Sequence, residues 1–435
     1  MASHYDCSLL VLSDEPHFFD GHRYWCALTF DYFVSAIGSY LRRTTIAVPV
    51  VRDGQPFGHV IDLPHIELRA LPHWYSLASF LLLSRSDRRR LREQARDLVA
   101  EHDAVFVRLP SLAAEVFARE AREQGKVFCT QLVANILSAA GPLHSPNPLV
   151  RLGAGLFARW VHGRQMRMVG QARVPLAVGH ELHRLCLRHN PASEFFIETL
   201  VSEKDAYERP GPQTHDGPLH ILCVSRLTRG KGLKYLLTAL GLLVRGGLNV
   251  RLRVAGGSQQ PDYAEELGQL ARAEGVGDRV EWLGHVPFGE PLFRLYRESD
   301  VGVLPSLSEG FPRFINEAWA SSLPLVCTRL PSLSPPVVDG ENAILVDPGS
   351  GVALADGLRR LIEDGDLRRR LATAGLQAFR ELTLERQSRR VAELIAAAAA
   401  GEPSFSVAAP QRPACTKAVH NQVSRDLVSS ADTER

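Results

Sequence analysis

The chain has 435 residues, of which 45% are hydrophobic and 23% charged, a composition typical of a globular protein long enough for two domains. Its net charge of +2 gives no bulk attraction to nucleic acid, and its seven scattered cysteines include no Cys-x-x-Cys pair, so a nucleic-acid partner, a disulfide framework and a zinc finger are not expected. The sequence begins without a basic signal-peptide segment and has no apolar run long enough to span a bilayer, which predicts a cytoplasmic chain.

The N-terminal half alternates short β-rich runs with helical stretches. Such alternation is typical of a parallel sheet that is covered by helices on both faces. It predicts a Rossmann-like domain over residues 1–200. The predicted strands are 8–13, 45–51, 65–70, 104–108, 127–131 and 174–178.

Two segments of this half are strongly basic. Residues 124–180 contain no Asp or Glu, and residues 77–96, LASFLLLSRSDRRRLREQAR, place arginines beside apolar residues. A solvated helical face is the more common explanation of such a pattern. The other explanation is a surface that lies against anionic lipid or a lipid-phosphate substrate, which would put the chain at the inner face of the membrane as a peripheral protein.

The C-terminal half repeats the alternation after a segment rich in Pro, Gly and charge, residues 201–216, which is predicted to be a linker. A second Rossmann-like domain is predicted over residues 217–382, followed by a helix at 383–400 that crosses back to the first domain and a disordered tail at 401–435. The chain is therefore predicted to be an α/β protein with two doubly wound domains that face each other across a cleft. The predicted strands of the second domain are 220–225, 250–254, 280–283, 301–304, 325–328 and 343–346.

The loops after these strands carry the first candidate site residues, because ligands of doubly wound sheets bind beyond the carboxyl ends of the strands. CVSRLTRGKG places Arg226 at a strand end and Lys231 and Gly232 at the start of a helix. A guanidinium and an ammonium at a helix N-terminus suit a diphosphate, although two basic residues in a loop are also ordinary. Gly256 and Gly257, after the next strand, either let the backbone approach a ligand closely or form a plain turn.

A second candidate region is SEGFPRFINEAWASS, residues 308–322, which follows a buried strand. Gly310 permits a tight turn and Pro312 suits the first position of a helix, so the peptide groups around Phe311 are expected to face the mouth of the sheet. Glu309 lies in the turn and Glu317 on the helix. Both carboxylates can accept charge-assisted hydrogen bonds from the hydroxyls of a sugar or a ribose, and their location favours this role over coincidence.

Five segments of the second half, within residues 219–362, resemble the donor domain of the family-four, retaining glycosyltransferases of the GT-B fold. The resemblance extends to the order and spacing of the segments. It includes the family's pair of glutamates separated by seven residues, here Glu309 and Glu317. The segments are SRLTRGKGLKYLLTAL, VAGGS, VEWLGHV, YRESDVGVLPSLSEGFPRFINEAWASSLPLVCT and DGENAILVDPG.

The resemblance implies a hexosyltransferase that moves a sugar from a nucleotide-diphosphate sugar to a hydroxyl of a glycan, an exopolysaccharide intermediate or a glycolipid, with retention of configuration. It implies that Arg226 and Lys231 neutralise the leaving diphosphate. Glu309 would contact the transferred sugar and Glu317 the ribose. Residues near His285 and Val286 would face the base. The other donor-binding residues are expected to be Gly232, Gly256, Gly257, Gly310, Phe311 and Pro312.

The N-terminal half matches the family less fully. RLPS (108–111), GKVFCTQLV and VGHELHRL resemble exopolysaccharide-type members, whose acceptors are often lipid-linked sugars, and they make Arg108 a candidate. The glycine pair of many members is reduced to Asp20-Gly21, and the expected His has no equivalent near Gln131. A catalytically silent nucleotide-sugar-binding subunit and another GT-B enzyme, a phosphorylase or an epimerase, remain alternatives.

No metal and no cofactor is predicted. HFFDGH contains His17, Asp20 and His22, for which a surface turn is favoured over a metal site. EDGDLRRR contains Asp364 and Asp366, and Asp366 is expected to cap a helix rather than bind a metal.

Overall fold

The computed structural model describes residues 4–27, 29–63, 65–139, 147–210, 217–258 and 261–402. The predicted disordered tail, 401–435, therefore lies outside the described residues except for its first two. The predicted linker, 201–216, is described as far as residue 210 and contains a short 3-10 turn, Glu203–Asp205. Within the described ranges, no helix combines the length and the apolar character needed to cross a bilayer.

The β-rich runs of the N-terminal half form one sheet in the order β10-β9-β8-β7-β1-β4-β2-β3-β5, with β6 also paired to β4. Its strands are β1 (Tyr5–Leu12), β2 (His17–Phe19), β3 (Tyr24–Cys26), β4 (Leu41–Val51), β5 (His59–Ile61), β6 (Ile66–Leu71), β7 (Ala104–Leu109), β8 (Val127–Leu132), β9 (Val174–Val178) and β10 (Glu194–Phe196). All pairs are parallel except those of β3 with β2 and β5. The sequence analysis does not predict this antiparallel extension, because strands of three residues are too short to show a period.

Helices cover both faces of the first sheet. On one face, Leu91 and Phe117 pack against Val105 and Val107, and on the other face Phe33 packs in the cluster that holds Leu9 and Val11. Successive residues of β1 and β7 thus face opposite sides of the sheet and belong to two separate cores. The helices are α1 (Phe30–Gly38), α2 (Leu77–Leu81), α3 (Arg85–Ala100), α4 (Ala114–Glu123), α5 (Ile136–Ala139), α6 (Pro148–Gln171) and α7 (His180–Leu187).

The C-terminal half forms a second sheet, in which every pair is parallel and the order is β13-β12-β11-β14-β15-β16. Its strands are β11 (Leu219–Val224), β12 (Val250–Ala255), β13 (Val280–Gly284), β14 (Val301–Leu304), β15 (Leu325–Thr328) and β16 (Ile344–Val346). Its helices are α8 (Leu233–Arg245), α9 (Pro261–Ala273), α10 (Glu290–Arg297), α11 (Arg313–Ala320), α12 (Gly351–Glu363) and α13 (Gly365–Arg380). The predicted α/β class with two largely parallel sheets is confirmed.

The strand order of the second sheet reverses at β11. The chain runs from β11 to β12 and β13 on one side, and from β14 to β15 and β16 on the other. The loops after β11 and β14 therefore diverge and leave a crevice at the carboxyl edge of the sheet, which is where such folds bind their ligands.

The last described helix, α14 (Leu384–Ala399), packs on the first sheet. Val391 and Ile395 are buried in the cluster of α1 and β1, and the Leu384 N–H donates to the carbonyl of Val201 (2.8 Å). At the surface, the Tyr5 hydroxyl donates to Glu393 Oε1 (2.8 Å).

One predicted helix cap is wrong. Asp364, not Asp366, caps α13, since its Oδ1 accepts a hydrogen bond from the Leu367 N–H (2.9 Å). Asp366 lies in the first turn of the helix and contacts Arg369. Both acids suit a helix N-terminus because the helix dipole favours negative charge there.

Candidate functional site

The mouth of the second sheet is formed by the loops after four neighbouring strands, β13, β12, β11 and β14. The Gly256 N–H donates to the carbonyl of Gly284 (2.7 Å), and the Leu227 N–H donates to the carbonyl of Gly257 (3.0 Å). Gly256 has a φ of +152°, and a Cβ there would lie 1.8 Å from the carbonyl oxygen of Ser225. Only glycine allows this approach, so the loops after β11, β12 and β13 form one continuous surface.

Gly232 joins the loop after β11 to the loop after β14. Its φ is +68°, and a Cβ there would lie 2.0 Å from the carbonyl oxygen of Pro305. A side chain at this position would both strain the backbone and collide with the neighbouring loop. The close approach brings Lys231, on the first loop, beside Glu309 on the second.

Lys231 and Glu309 form an ion pair at this mouth. Lys231 Nζ lies 2.5 Å from Glu309 Oε1, and the same oxygen accepts a hydrogen bond from the Ser306 hydroxyl (2.6 Å). The Thr328 hydroxyl in turn donates to the carbonyl of Ser306 (2.5 Å). The other carboxylate oxygen of Glu309, Oε2, has no partner among the described residues. The side chains are 19% and 10% exposed, so a ligand can reach both.

Two helices, α8 and α11, begin at the mouth, and neither has a side-chain cap. An uncapped N-terminus leaves backbone N–H groups free to bind an anion. The N–H groups of Gly310 and Phe311, just before α11, also have no partner within the part of the chain that the structure describes. Pro312 was predicted to occupy the first position of α11, and this prediction is wrong. Pro312 precedes the helix, because its backbone is extended (φ −75°, ψ 132°). It offers no N–H.

The carboxyl edge of the first sheet carries a second polar cluster, centred on Glu198 after β10. Gln131 Nε2 donates to Glu198 Oε2 (2.8 Å), and the Arg108 guanidinium lies 3.5 Å from the same oxygen. Arg313, the first residue of α11, lies 3.5 Å from Glu198 Oε1 and donates to the Thr29 hydroxyl (2.7 Å). A residue of the second domain thus binds the edge of the first.

Glu15, which follows β1, completes this cluster. The Arg108 guanidinium contacts its Oε1 and lies over the Phe30 ring, 4.6 Å from the ring centre. Burial raises the pKa of Glu15 to about 7, and the attraction of Arg108 offsets part of that effect. The charges of this edge therefore largely neutralise one another.

The two edges meet at Gly179 and Gly310. Gly179, after β9, has a φ of +84°, and a Cβ there would lie 3.1 Å from the carbonyl carbon of Gly310. The contact places the N-terminus of α7 against the turn that holds Glu309. Both clusters therefore lie on edges that meet.

A family model described as "Glycosyl transferases group 1" matches residues 206–378. This segment includes the whole mouth of the second sheet. The segment is therefore similar to the group 1 glycosyl transferases. It does not include the first sheet, so the similarity is limited to the C-terminal domain.

Curated relatives match the same part of the chain. A "D-inositol 3-phosphate glycosyltransferase" of Corynebacterium diphtheriae is 33% identical over 166 residues, which are 37% of this chain and 39% of that protein. A "Glycogen synthase" of Mycobacterium tuberculosis is 32% identical over 161 residues, 37% of this chain and 38% of that protein. The chain thus matches about two fifths of the length of these relatives.

Solved structures match nearly the whole chain in fold. The Anabaena protein Alr3699/HepE in complex with UDP aligns with a TM-score of 0.65 at 17% identity, covering 89% of this chain and 98% of that one. Sucrose-phosphate synthase from Thermosynechococcus elongatus aligns with a TM-score of 0.67 at 17% identity, covering 91% and 100%. The likeness shows that the two sheets of this chain are arranged as in the GT-B fold.

The predicted donor residues of the second domain differ in their exposure. Arg226 is exposed after β11 and His285 is exposed after β13, both at the mouth, while Val286 packs partly against the core beside them. Glu317 is 5% exposed, and its Oε2 accepts a hydrogen bond from the buried Tyr296 hydroxyl (2.6 Å). Burial raises the pKa of Glu317, and the Tyr296 hydrogen bond opposes that shift. Its contact with a ribose stays a prediction.

Glu198 and Arg313 were not predicted as site residues, and Arg108 was predicted without a partner. Glu198 and Arg313 are 115 positions apart in the chain, so no local motif joins them. A signal was nevertheless present, since Glu198 is a lone acid within the apolar run FFIETLV that follows a strand. A lone carboxylate in such a run needs a partner when it is buried.

Among the described residues, one group has the composition of a metal site: His17, Cys26 and Asp31, whose ligand atoms lie within 4.8 Å of one another. His17 Nε2 lies 2.7 Å from Asp31 Oδ2, and Nδ1 lies 2.9 Å from the carbonyl oxygen of Glu15. Both ring nitrogens are engaged, which fits a buried ion pair. The predicted surface turn is thus correct for Asp20, whose Oδ1 accepts backbone N–H groups, but wrong for the buried His17.

Proposed function

We propose that this chain is a glycosyltransferase that moves a sugar from a nucleotide-diphosphate sugar to a hydroxyl group, with retention of configuration. The observation that carries the proposal is the convergence of Lys231, Glu309 and two uncapped helix N-termini at the mouth of the second sheet. A cation and free N–H groups suit a diphosphate, and an adjacent carboxylate suits sugar hydroxyls.

In this proposal, the second sheet holds the donor. Lys231 and Arg226 neutralise the charge that develops on the departing diphosphate, together with the N–H groups before α11. The free oxygen of Glu309 accepts a hydrogen bond from the transferred sugar. Glu317 orients the ribose, and the surface near His285 faces the base. Preorganised charges of this kind stabilise the transition state without reorganising during the reaction.

The first sheet would bind the acceptor. Its cluster offers an amide and two carboxylates, and arginines balance the charges of the carboxylates. This arrangement suits neutral hydroxyls better than phosphates. The proposed acceptor is a glycan, an exopolysaccharide intermediate or a glycolipid. Relatives named for inositol phosphate and glycogen chemistry support a hydroxyl acceptor without indicating which one.

We expect the reaction to need no metal ion, because Lys231, Arg226 and the two helix N-termini can neutralise a diphosphate themselves. The measurement is donor turnover in the presence of excess EDTA. Unchanged turnover agrees with the proposal. Loss of turnover that Mg²⁺ or Mn²⁺ restores would overturn this part of it.

The proposal is tested with a panel of UDP-, GDP- and ADP-sugars. Binding is scored as a rise in melting temperature, and chemistry as slow release of free sugar from the donor without acceptor. We expect one nucleotide class to stabilise the protein and to be hydrolysed. Binding without any hydrolysis or transfer would favour the silent subunit, and release that requires inorganic phosphate would favour a phosphorylase.

A further inference from the structure

Helix α6 exposes a line of large apolar side chains. Leu149, Leu152, Leu156 and Trp160, here called the α6 ridge, are 77%, 61%, 57% and 42% exposed. Their spacing of three, four and four positions puts them on one face of the helix. Large apolar residues that cluster on a surface usually mark a binding site.

The ridge is not the face by which α6 packs on the domain. Ala158, Val161 and Gln165 are 0–1% exposed and form the packing face. At 100° per residue, this face lies nearly opposite Leu156 and Trp160. The helix is therefore apolar on both sides, one turned to the protein and one away from it.

Helix α2 extends the same surface. Its inner residues Leu77 and Phe80 pack with Phe157 of α6 in one cluster, so the two helices are neighbours. At the end of α2, Leu82 is 83% exposed, and Tyr75 before it is 71% exposed. The apolar surface thus extends beyond a single helix.

Arginines extend this surface. Arg159 and Arg167 of α6 are exposed on the ridge side of the helix and have no carboxylate partner among the described residues. The Arg88 guanidinium donates to the carbonyl oxygens of Leu81 and Leu83, which holds a further cation beside α2. Because residues 124–180 contain no acid, no carboxylate of that segment opposes these charges.

We propose that the α6 ridge, Leu82 and the flanking arginines dock this chain on an anionic lipid bilayer, with α6 lying in the plane of the headgroups. A lipid surface matches both features, because acyl chains accept the ridge while anionic headgroups bind the arginines. Trp160 suits the headgroup level. The inference rests on the proposed function only in that a membrane would supply a lipid-linked acceptor. Of the two basic segments, residues 77–96 and 124–180, it assigns the main contact to the second, which contains α6.

The test is sedimentation of the full chain with vesicles of phosphatidylcholine, with and without phosphatidylglycerol. The triple variant Leu149→Ser, Leu152→Ser, Leu156→Ser should bind the anionic vesicles at least about tenfold more weakly. The control, Val338→Ser with Val352→Ser, changes apolar residues of the second domain that are 39% and 60% exposed, and it should bind like the wild type. Replacing Arg159 and Arg167 by Gln should weaken binding to the anionic vesicles only.

Equal binding of the wild type and the ridge variant would overturn the proposal. A wild type that dimerises in light scattering without lipid, through contacts that the ridge variant abolishes, would overturn it in favour of a second copy as the partner. Donor hydrolysis in lipid-free solution should be the same in the ridge variant and the wild type. That measurement separates failure of the docking proposal from failure of the donor assignment.

Discussion

The carboxyl edges of the two sheets face each other but differ in how their charges are used. At the second sheet, Lys231 has one carboxylate partner, and two helix N-termini stay uncapped. At the first sheet, Arg108 contacts both Glu15 and Glu198, and Arg313 is also directed at Glu198. At the first edge the arginines and glutamates already pair with one another, whereas the second edge still has N–H groups that can bind an anion.

This difference suggests a division of labour. An edge with free N–H groups and a cation that has one carboxylate partner can bind a diphosphate, because a ligand gains contacts that the empty protein does not make. An edge whose charges already pair gains little from an anion, but it can exchange hydrogen bonds with hydroxyls. The family match is limited to the domain that carries the edge of the second sheet. This agrees with a shared donor and a variable acceptor.

The largest expected effect comes from removing the cation of the second edge. Lys231→Ala should slow transfer by about 10²–10³-fold, because the leaving diphosphate loses its main neutralising charge. Lys234→Ala is the matched control. Lys234 lies three residues after Lys231, in the first turn of α8, where it is exposed and its ammonium group lies over the Tyr235 ring. Steady-state transfer rates check both variants. Similar rates for the two would remove Lys231 from the site.

The next effect concerns the backbone that brings the two loops together. Gly232→Ala should lower the free energy of unfolding by roughly 2–3 kcal/mol, since it adds both a collision with Pro305 and a strained φ. Gly247→Ala adds only the strain, because its φ is +84° and nothing lies near its Cβ, and should cost about 1 kcal/mol. Urea unfolding of the two variants measures the difference. A Gly232 variant no less stable than the Gly247 variant would contradict the close approach.

A smaller effect is expected at the first edge. Glu198→Gln should lower transfer to the acceptor about tenfold, because Arg108 and Arg313 lose a shared carboxylate and the acceptor surface loosens. Donor hydrolysis without acceptor should stay within about twofold of the wild type, since the diphosphate site is untouched. Glu194→Gln is the control, because Glu194 pairs with Arg390 (2.7 Å) instead. A parallel loss of donor hydrolysis in the Glu198 variant would refute the division of labour.

The smallest effect is a pH dependence at the same edge. Burial raises the pKa of Asp14 from 3.8 to about 7, so the folded protein favours the protonated form. The protonated Asp14 carboxyl group contributes to the free energy of unfolding. This contribution is fully present below the pKa that Asp14 has in the unfolded chain, and it is lost as pH rises through about 7. Asp14→Asn removes the loss, so its stability advantage over the wild type should grow as pH rises from about 4 to about 7 and should stay level above that. Melting curves across that range measure it, and a gain that shrinks with rising pH would contradict the assignment.

The meeting of Lys231 and Glu309 could be predicted from the sequence because its signals are local. Lys231 and Gly232 are adjacent, and Glu309 lies in a short turn after a strand, so the strand ends indicated that both side chains lie at one edge of the sheet. Glu198 and Arg313 meet only through the packing of two domains. The extension of β2, β3 and β5 was missed because each strand has three residues, and the first position of α11 was misplaced because Pro312 fits either side of a helix boundary.

The most direct test of the central claim is a structure of the protein soaked with the nucleoside diphosphate that the donor panel selects. The account predicts that the diphosphate lies between Lys231 and the N-terminus of α11, within hydrogen-bond distance of both. A diphosphate bound anywhere else, or bound there with Lys231 still paired to Glu309 and out of reach, would contradict it.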